Sequence, residues 1–226
     1  MGLTGPRVWK IHLDQPDDSR WWPLLSSAER ERALELVCPV EQRRYTVAHA
    51  ALRAILGRVV GVRATRLGFG AEPNGRPYLV LPDGPPQVDF NLSHSGEWAL
   101  VAVTPSGWRV GVDVERIRPD LDCLGMARRM YQPAEVEHLE QAPDPEQQRT
   151  EYFHLWSAKE AYVKAIGIGL PGMRDVLVHR QPGAEHGTVL ACSSPEAVWR
   201  VRWLWIASGY AAATTLVCDS CVARPA

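Results

Sequence analysis

Apolar and polar residues alternate in several short segments of the chain, and this period of two predicts β-strands. An opening strand is predicted over residues 7–13, and a second runs from Val88 into the polar turn 93–96. Strands over 98–103 and 108–115 are separated by Thr104-Pro105-Ser106-Gly107, which predicts a hairpin. Three more strands are predicted near the end of the chain, over 188–192, 197–207 and 209–218.

Apolar residues recur at steps of three and four in the remaining segments, which predicts amphipathic helices. These helices are predicted over about 26–37, 41–60, 121–131, 133–139 and 146–167. Strands and helices follow one another in a similar order in each part of the chain, which favours an α+β fold of two similar halves. We place the N-terminal half at residues 1–112 and the C-terminal half at 113–226, with the active site at their interface. No direct sequence repeat is visible, so the duplication rests on element order.

Composition excludes several classes of function. The 226 residues are 46% hydrophobic and 23% charged, with a formal net charge of −1, which does not favour binding to nucleic acid or to an anionic membrane. No segment reaches the ~20 apolar residues of a membrane span, and the polar segment 1–14 does not resemble a signal peptide. We therefore expect a cytoplasmic protein. Cys218 and Cys221 form a C-x-x-C, but no second pair completes a zinc site, and we interpret both as ordinary small side chains.

Lysine is used sparingly. It occurs at positions 10, 159 and 164, whereas the other basic residues are arginines. The pKa of lysine shifts readily, so a proton-transfer or phosphate-binding role at Lys159 or Lys164 is plausible. The alternative is two surface lysines beside Glu160 on a solvated helix.

Carboxylates occur where the pattern predicts burial. In the strand 108–115, Val110, Val112 and Val114 point to one face, and Asp113 and Glu115 point to the other. Two carboxylates ~7 Å apart on one strand face repel each other unless a cation lies between them. Together with Glu160, one helical turn before Lys164, they form an oxygen donor set that suits Mg²⁺. The spacing predicts magnesium-assisted transfer at a phosphate ester, with salt-bridged structural carboxylates as the alternative.

Four short segments resemble a known family. Gly111–Glu115 (GVDVE) and Trp156–Lys164 (WSAKEAYVK) are similar to the two signature motifs of the 4'-phosphopantetheinyl transferases. Phe90–Ser95 (FNLSHS) resembles the motif before them, and Gly75–Pro77 (GRP) resembles an earlier one. The chain length is similar to that of the monomeric, pseudo-twofold Sfp-type subfamily. The resemblance implies the transfer of 4'-phosphopantetheine from coenzyme A to a serine of an acyl or peptidyl carrier protein, with release of 3',5'-ADP, in polyketide or nonribosomal peptide synthesis.

The resemblance also implies roles for individual residues. Asp113, Glu115 and Glu160 would hold Mg²⁺ at the coenzyme A pyrophosphate. Glu160, or water polarised by it, would be the base, and Lys164 would bind the leaving phosphate and stabilise or protonate it. The expected coenzyme A ligands in the first half are Ser93, His94, Arg76 and, as candidates only, Arg30, Arg32 and Arg44.

A carrier domain presents an acidic helix, so its partner surface should be basic with apolar anchors. The segment Arg116–Tyr131 combines four arginines with Leu124, Met126 and Met130, and we expect it to contact the carrier unless the methionines belong to the core. Two alternative functions stay open at this point. One is a non-catalytic module that binds coenzyme A or a carrier protein, and the other is a magnesium-dependent hydrolase of a nucleotide diphosphate.

Overall fold

The computed structural model describes residues 6–15, 19–81, 84–181, 183–192 and 194–218. The first half consists of β1 (Arg7–His12), α1 (Ser27–Leu34), α2 (Pro39–Val60), β2 (Gly68–Ala71), β3 (Pro77–Val80), β4 (Val88–Ser95) and β5 (Trp98–Pro105). The second half consists of β6 (Trp108–Arg116), α3 (Cys123–Met130), α4 (Pro133–Glu140), α5 (Pro145–Ile166), β7 (Val176–His179), β8 (His186–Ala191), β9 (Ser194–Trp203) and β10 (Tyr210–Cys218).

The two halves repeat one order of elements. Each begins with a strand, continues through helices and ends with four strands. The sheet order is β1-β5-β4 in the first half, beside a separate β2-β3 hairpin, and β6-β10-β9-β8-β7 in the second. Thus β1 corresponds to β6, β5 to β10 and β4 to β9. This repetition confirms the α+β architecture of two similar, pseudo-twofold-related halves.

The longest helices of the two halves also match. Helices α2 and α5 each have 22 residues and each begin with a proline in the first turn. Each ends at a left-handed glycine, Gly61 with φ +75° and Gly167 with φ +84°. Glycine takes this conformation without steric cost, so both helices end where the sequence supplies one. Among the described residues, no helix combines the length and apolarity that crossing a bilayer requires.

The start of the second half lies a few residues before the predicted boundary. Strand β6 pairs with β10 along its whole length, from Trp108 opposite Cys218 to Arg116 opposite Tyr210. A division between residues 112 and 113 therefore falls inside one strand, whereas the repeated order of elements places it just before Trp108.

The predicted hairpin of strands 98–103 and 108–115 is wrong. Strand β5 pairs with β1 on one side and β4 on the other, so both of its edges are occupied. The chain turns at Gly107, with φ +87°, and β6 enters the other sheet. Turn residues predict a reversal of the chain, but they do not determine which strand the next segment pairs with. The sequence pattern also missed β7 and extended the strand β9 to Ala207, whereas it ends at Trp203 and Trp205 beyond it is 81% exposed.

Apolar side chains form a core between the two sheets. Val110, Val112 and Val114 of β6 pack there with Leu100 and Ala102 of β5. The opposite face of β6 lies against α5, as the alternation along the strand predicts.

Helix α5 and strand β6 approach very closely at Gly111. A Cβ atom at this position would lie 1.7 Å from the carbonyl oxygen of Ala161. Only glycine permits this approach, which brings Glu160 and Lys164 of the helix near Asp113 of the strand.

Side chains of β4 join the first half to the edge of β6. Alternate residues of β4 accept hydrogen bonds from alternate backbone N–H groups of β6. The pairs, acceptor first, are Asp89 Oδ2 with Val110 (2.8 Å), Asn91 Oδ1 with Val112 (3.0 Å), Ser93 Oγ with Val114 (3.4 Å) and Ser95 Oγ with Arg116 (3.0 Å). We call these four side chains the polar ladder. They satisfy donors that an edge strand otherwise leaves unpaired.

Candidate functional site

A cavity of about 600 Å³ lies between the first half and the C-terminal part of α5. Four of the predicted site residues line it: Arg76, His94, Glu160 and Lys164. Its apolar wall includes Phe69, Phe90, Leu92 and Val163. The cavity thus combines charged groups with an apolar surface, as small-molecule sites commonly do.

Asp113, Ser93 and Lys164 meet beside this cavity. Lys164 Nζ lies 2.6 Å from Asp113 Oδ1 and 3.1 Å from Ser93 Oγ. The Ser93 hydroxyl donates to the same Asp113 oxygen at 2.9 Å and also accepts the N–H of Val114. Ser93 is buried, and its hydroxyl uses its one donor and two acceptor positions within the protein. In this arrangement Ser93 orients Asp113 and Lys164, while its expected contact with coenzyme A stays a prediction.

The other two carboxylates are held in an environment that opposes their ionisation. Burial, opposed by the charge of Lys164 and assisted by the charges of Asp113 and Glu115, raises the pKa of Glu160 to about 7. Burial and the neighbouring charge of Asp113 also raise the pKa of Glu115, whereas the hydroxyl of Ser95, 3.1 Å away, lowers it. Asp113, Glu115 and Glu160 therefore lie near enough to one another for mutual repulsion.

The carboxylates suit a divalent cation in donor type and charge. Asp113 Oδ2 is buried and has no hydrogen-bond partner, which is costly unless a cation contacts it. Yet no three histidine, cysteine or acidic side chains among the described residues form a ready metal-binding group. Lys164 Nζ, 2.6 Å from Asp113 and 3.9 Å from Glu160, instead supplies the positive charge between them. A cation would thus have to share Asp113 with Lys164.

Arg76 is a buried residue of the cavity wall and is fully engaged with the protein. Its two terminal nitrogens form a fork with Asp89 at 2.8 and 2.6 Å, and its Nε donates to the carbonyl of Lys164 at 3.0 Å. It also donates to the carbonyl of Val110 at 3.2 Å. Arg76 thereby ties the end of α5 to the polar ladder, and its predicted role at the adenine of coenzyme A remains a prediction.

His94 lies in the wall of the cavity with its neighbour His49 on α2. The surrounding protein lowers the pKa of His94, first by burial and then through the charges of His49 and Lys164. A ring that faces the cavity next to Lys164 can contact an anion there.

The candidate arginines of the first helices lie elsewhere. Arg30 donates to the carbonyls of Trp22 and Pro23, each at 3.2 Å, and Arg44 forms a fork with Asp14 at 2.8 Å. Arg32 pairs with Glu35 at 2.7 Å on the surface. None of these arginines lines the cavity.

Sequence reasoning missed Glu29 and His49, which do line the cavity. His49 stacks on Tyr45 with ring centroids 4.0 Å apart, and its Nδ1 lies 3.7 Å from Glu29 Oε1. The spacing of four residues between Tyr45 and His49 on one helix face was the available signal.

Lys159 lies in the core of the second half and is not a surface lysine. Its side chain is fully buried, and Nζ lies 2.7 Å from Glu135 Oε2, near the carbonyl of Val176 and 4.9 Å from the ring centroid of Tyr131. Glu135 also accepts the backbone N–H groups of Gln132 and Val178. This ion pair joins α5 to α4 and β7 and does not reach the cavity, so Lys164 is the lysine of the site.

The fold and the site have recognisable relatives. The sequence profile of the 4'-phosphopantetheinyl transferase superfamily matches residues 109–215, and the profile of the 4'-phosphopantetheinyl transferase N-terminal region matches residues 15–106. The two matches meet in the turn before β6, where the repeated order of elements divides the chain.

Three curated proteins illustrate the similarity. The chain is 37% identical to the 4'-phosphopantetheinyl transferase HetI of Nostoc sp. over 178 residues. The aligned residues cover 77% of this chain and 74% of that protein. It is 30% identical over 169 residues to a 4'-phosphopantetheinyl transferase of Bacillus subtilis, covering 73% and 71%. It is 27% identical over 168 residues to 4'-phosphopantetheinyl transferase Sfp of Bacillus subtilis strain 168, again covering 73% and 71%.

These relatives extend across both halves and include the helix and strand that form the site. Members of this family transfer 4'-phosphopantetheine from coenzyme A to carrier proteins. The chain therefore belongs to the 4'-phosphopantetheinyl transferase superfamily and is an enzyme of that class.

Proposed function

We propose that this chain transfers 4'-phosphopantetheine from coenzyme A to a serine hydroxyl of an apo acyl or peptidyl carrier protein, with Mg²⁺, and releases 3',5'-ADP. The observation that carries the proposal is the contact of Lys164 with Asp113 and Glu160 beside a 600 Å³ cavity that Glu160 and Lys164 line. A cavity of this size accommodates a large part of a nucleotide-like substrate, and its charged residues suit a diphosphate.

Asp113, Glu115 and Glu160 would hold Mg²⁺. When bound, the ion would neutralise the oxygens of the coenzyme A pyrophosphate and favour cleavage of the diphosphate. The unpaired Oδ2 of Asp113 and the raised pKa values of Glu115 and Glu160 support this assignment, because a cation would stabilise all three carboxylates.

Glu160 is the proposed base. Glu160 lines the cavity, and the positive charges of Lys164 and of the bound ion would keep its carboxylate ionised and able to accept a proton, as general base catalysis requires. The carrier serine oxygen would bond to the phosphorus next to pantetheine, its proton would pass to Glu160, and the bond from that phosphorus to the oxygen of the 3',5'-ADP leaving group would break.

Lys164 is proposed to stabilise the charge on that leaving group. The nearby carboxylates raise the pKa of Lys164 although burial lowers it, so its ammonium stays protonated. Ser93 would hold the side chains of Lys164 and Asp113 in place, since it contacts both, and Arg76 would fix the backbone of α5 at the carbonyl of Lys164.

The carrier protein is proposed to dock on the segment Arg116–Tyr131. Its arginines are exposed, namely Arg116, Arg118, Arg128 and Arg129. Leu124, Met126 and Met130 are half-buried against the core of the second half, so they are both core residues and part of the surface. The segment directly follows β6, which carries Asp113 and Glu115, so a bound carrier would bring its serine close to the carboxylates.

One assay tests transfer and separates it from the two alternatives. The protein is incubated with Mg²⁺ and coenzyme A, with and without an apo carrier domain, and the carrier is weighed by intact mass spectrometry. We expect a carrier heavier by one phosphopantetheine group and no turnover without the carrier. Turnover without carrier would instead indicate a hydrolase, and binding of coenzyme A with an unchanged carrier would indicate a binding module.

Glu160→Gln is the variant that tests the base. It should lower kcat by ~10²-fold or more, because the proton acceptor is lost while the shape of the side chain is kept. Glu31→Gln, an exposed change on α1, serves as the matched control and should leave kcat unchanged. Equal kcat values in the two variants would remove Glu160 from the mechanism.

The docking surface has its own test. Arg118→Ala with Arg129→Ala should raise the KM for the carrier but not for coenzyme A, and Arg63→Ala with Arg66→Ala, also exposed, should change neither. A single chain supplies both halves of the site, so we propose a monomer, which light scattering would verify. The expected cytoplasmic location stays a prediction.

A further inference from the structure

A second cavity, of about 690 Å³, lies on the other side of the inter-half core. It shares no lining residue with the cavity beside Glu160. Strand β1 and strand β9 contribute to its walls, and these are the pseudo-twofold counterparts of β6 and β4. The fold therefore contains two related junctions between its halves. The polar ladder fills the junction of β4 with β6, and the second cavity lies at the junction of β1 with β9.

The β9 side of this cavity carries two arginines in neighbouring rows of the sheet. The pairing register places Arg202 between His186 of β8 and Thr214 of β10. It places Arg200 between Thr188 and Leu216 in the same way. Alternate residues of a strand share a face, so both guanidinium groups rise from one side of the sheet, where three of their four paired neighbours are polar.

These arginines bring positive charge that the described part of the chain does not neutralise. Arg200 and Arg202 are exposed, and neither forms an ion pair with another described side chain. Lys10 lies opposite on β1, where its Nζ donates to the carbonyl of Ile206 at 2.8 Å. Glu185 is the acidic residue of the lining, and Arg180 is already paired with Glu151.

The remaining walls are apolar or aromatic. Val8, Leu100 and Val110 come from the core between the sheets, and Trp205 extends into solvent with 81% of its surface exposed. A large aromatic ring left in water beside uncompensated cations suits a ligand with an anionic group and a flat or apolar portion.

We propose that this second cavity binds a small organic phosphate. Arg200 and Arg202 hold the phosphate, since paired guanidinium groups match phosphate oxygens in geometry and charge. The organic portion lies against Trp205. The site is separate from the transfer reaction, so it does not depend on the proposed roles of Glu160 and Lys164.

Calorimetry with phenyl phosphate tests this site, with EDTA and saturating coenzyme A present so that the first cavity is filled and no metal competes. We expect one equivalent to bind to the wild type. Arg200→Gln with Arg202→Gln should weaken binding at least ~10-fold, while Arg63→Gln with Arg66→Gln, the same change of charge on exposed residues of the first half, should not. Carrier modification by both double variants should equal that of the wild type.

A Trp205→Ala variant and a comparison of phenyl phosphate with inorganic phosphate test the role of the aromatic ring. Trp205→Ala changes a side chain that is already in solvent, so the variant should fold, and it should weaken phenyl phosphate more than inorganic phosphate. Absence of binding to the wild type, or equal weakening by both arginine pairs, overturns the proposal. Equal weakening of both phosphates by Trp205→Ala overturns the assignment of the organic portion to this ring.

Discussion

Asn91 accepts the backbone N–H of Val112 with its side-chain oxygen at 3.0 Å, although the two residues belong to different sheets. The contact lies at the centre of the polar ladder and is buried on both sides. The ladder joins two halves that share no backbone pairing between β4 and β6, so polar side chains perform the task that backbone hydrogen bonds perform elsewhere in these sheets.

Replacing Asn91 by alanine should therefore destabilise the protein. The N–H of Val112 would lose its acceptor in a buried position, which costs ~1–3 kcal/mol of unfolding free energy. Ser95→Ala removes the acceptor of the Arg116 N–H, which lies at the exposed end of β6, and should cost less than ~1 kcal/mol. Urea unfolding of both variants measures the difference. If both cost the same small amount, the ladder does not hold the halves together.

Gly111→Ala should separate α5 from β6. The new Cβ would lie 1.7 Å from a backbone oxygen of the helix, which cannot rotate away as a flexible side chain would. We expect a loss of at least ~1–3 kcal/mol of stability together with a fall in kcat, because Glu160 and Lys164 move with the helix.

Gly68→Ala is the control for that change. Its Cβ would meet the side chain of Val80 at 3.3 Å in the β2-β3 hairpin, a contact that a small shift relieves. A variant at Gly111 as stable and as active as the one at Gly68 would show that close packing of α5 is not required.

The Lys159→Met variant should be less stable than the wild type but should bind coenzyme A equally well. The change leaves Glu135 buried and without its cation, a defect that typically costs ~3–5 kcal/mol. Thermal unfolding reports the loss, and calorimetry with coenzyme A at a temperature where the variant is folded reports the binding. A selective loss of coenzyme A affinity with normal stability would instead return Lys159 to the site.

Glu29 should make the free energy of unfolding depend on pH in the acidic range. Burial alone would raise its pKa, but hydrogen bonds from His49, Ser26 and Arg53 lower it to about 2 from the usual 4.5. Because the folded-state pKa lies below the unfolded value, the carboxylate stabilises the fold by ~3 kcal/mol above about pH 4.5. This contribution is lost as the pH falls from about 4.5 towards about 2.

Glu29→Gln measures this dependence. The wild type should be more stable than the variant near neutral pH, and the difference in unfolding free energy should shrink as the pH falls below about 4.5. Glu31→Gln, on the exposed face of the same helix, should show no such trend. A constant difference at all pH values would mean that the cost comes from the lost helix cap alone.

Local patterns in the sequence were sufficient for much of the site. Alternation along residues 108–115 placed Asp113 and the valines on opposite faces of β6, and helical spacing placed Glu160 beside Lys164. Both inferences depend on residues a few positions apart. The approximate extents of α2 and α5 followed from the same kind of signal, since apolar residues recur at helical spacing from about 41 to 60 and from about 146 to 167.

Contacts between distant segments were not predictable in this way. The sequence did not reveal that β6 pairs with β10 instead of β5, because turn residues specify a bend and not a partner. It also left Lys159 and Lys164 equivalent, although one faces Glu135 in the core and the other faces Asp113. That difference depends on which side of α5 each neighbouring element covers.

The polar ladder also acts against misalignment during folding. Were β4 to slide by one residue along β6, Phe90, Leu92 and His94 would face amide groups that need acceptors, and several donors would be buried without partners. A slide by two residues would restore acceptors but move Ser93 away from Asp113. The same four side chains that join the halves thus favour the one alignment in which Ser93, Asp113 and Lys164, all assigned to the proposed site, meet.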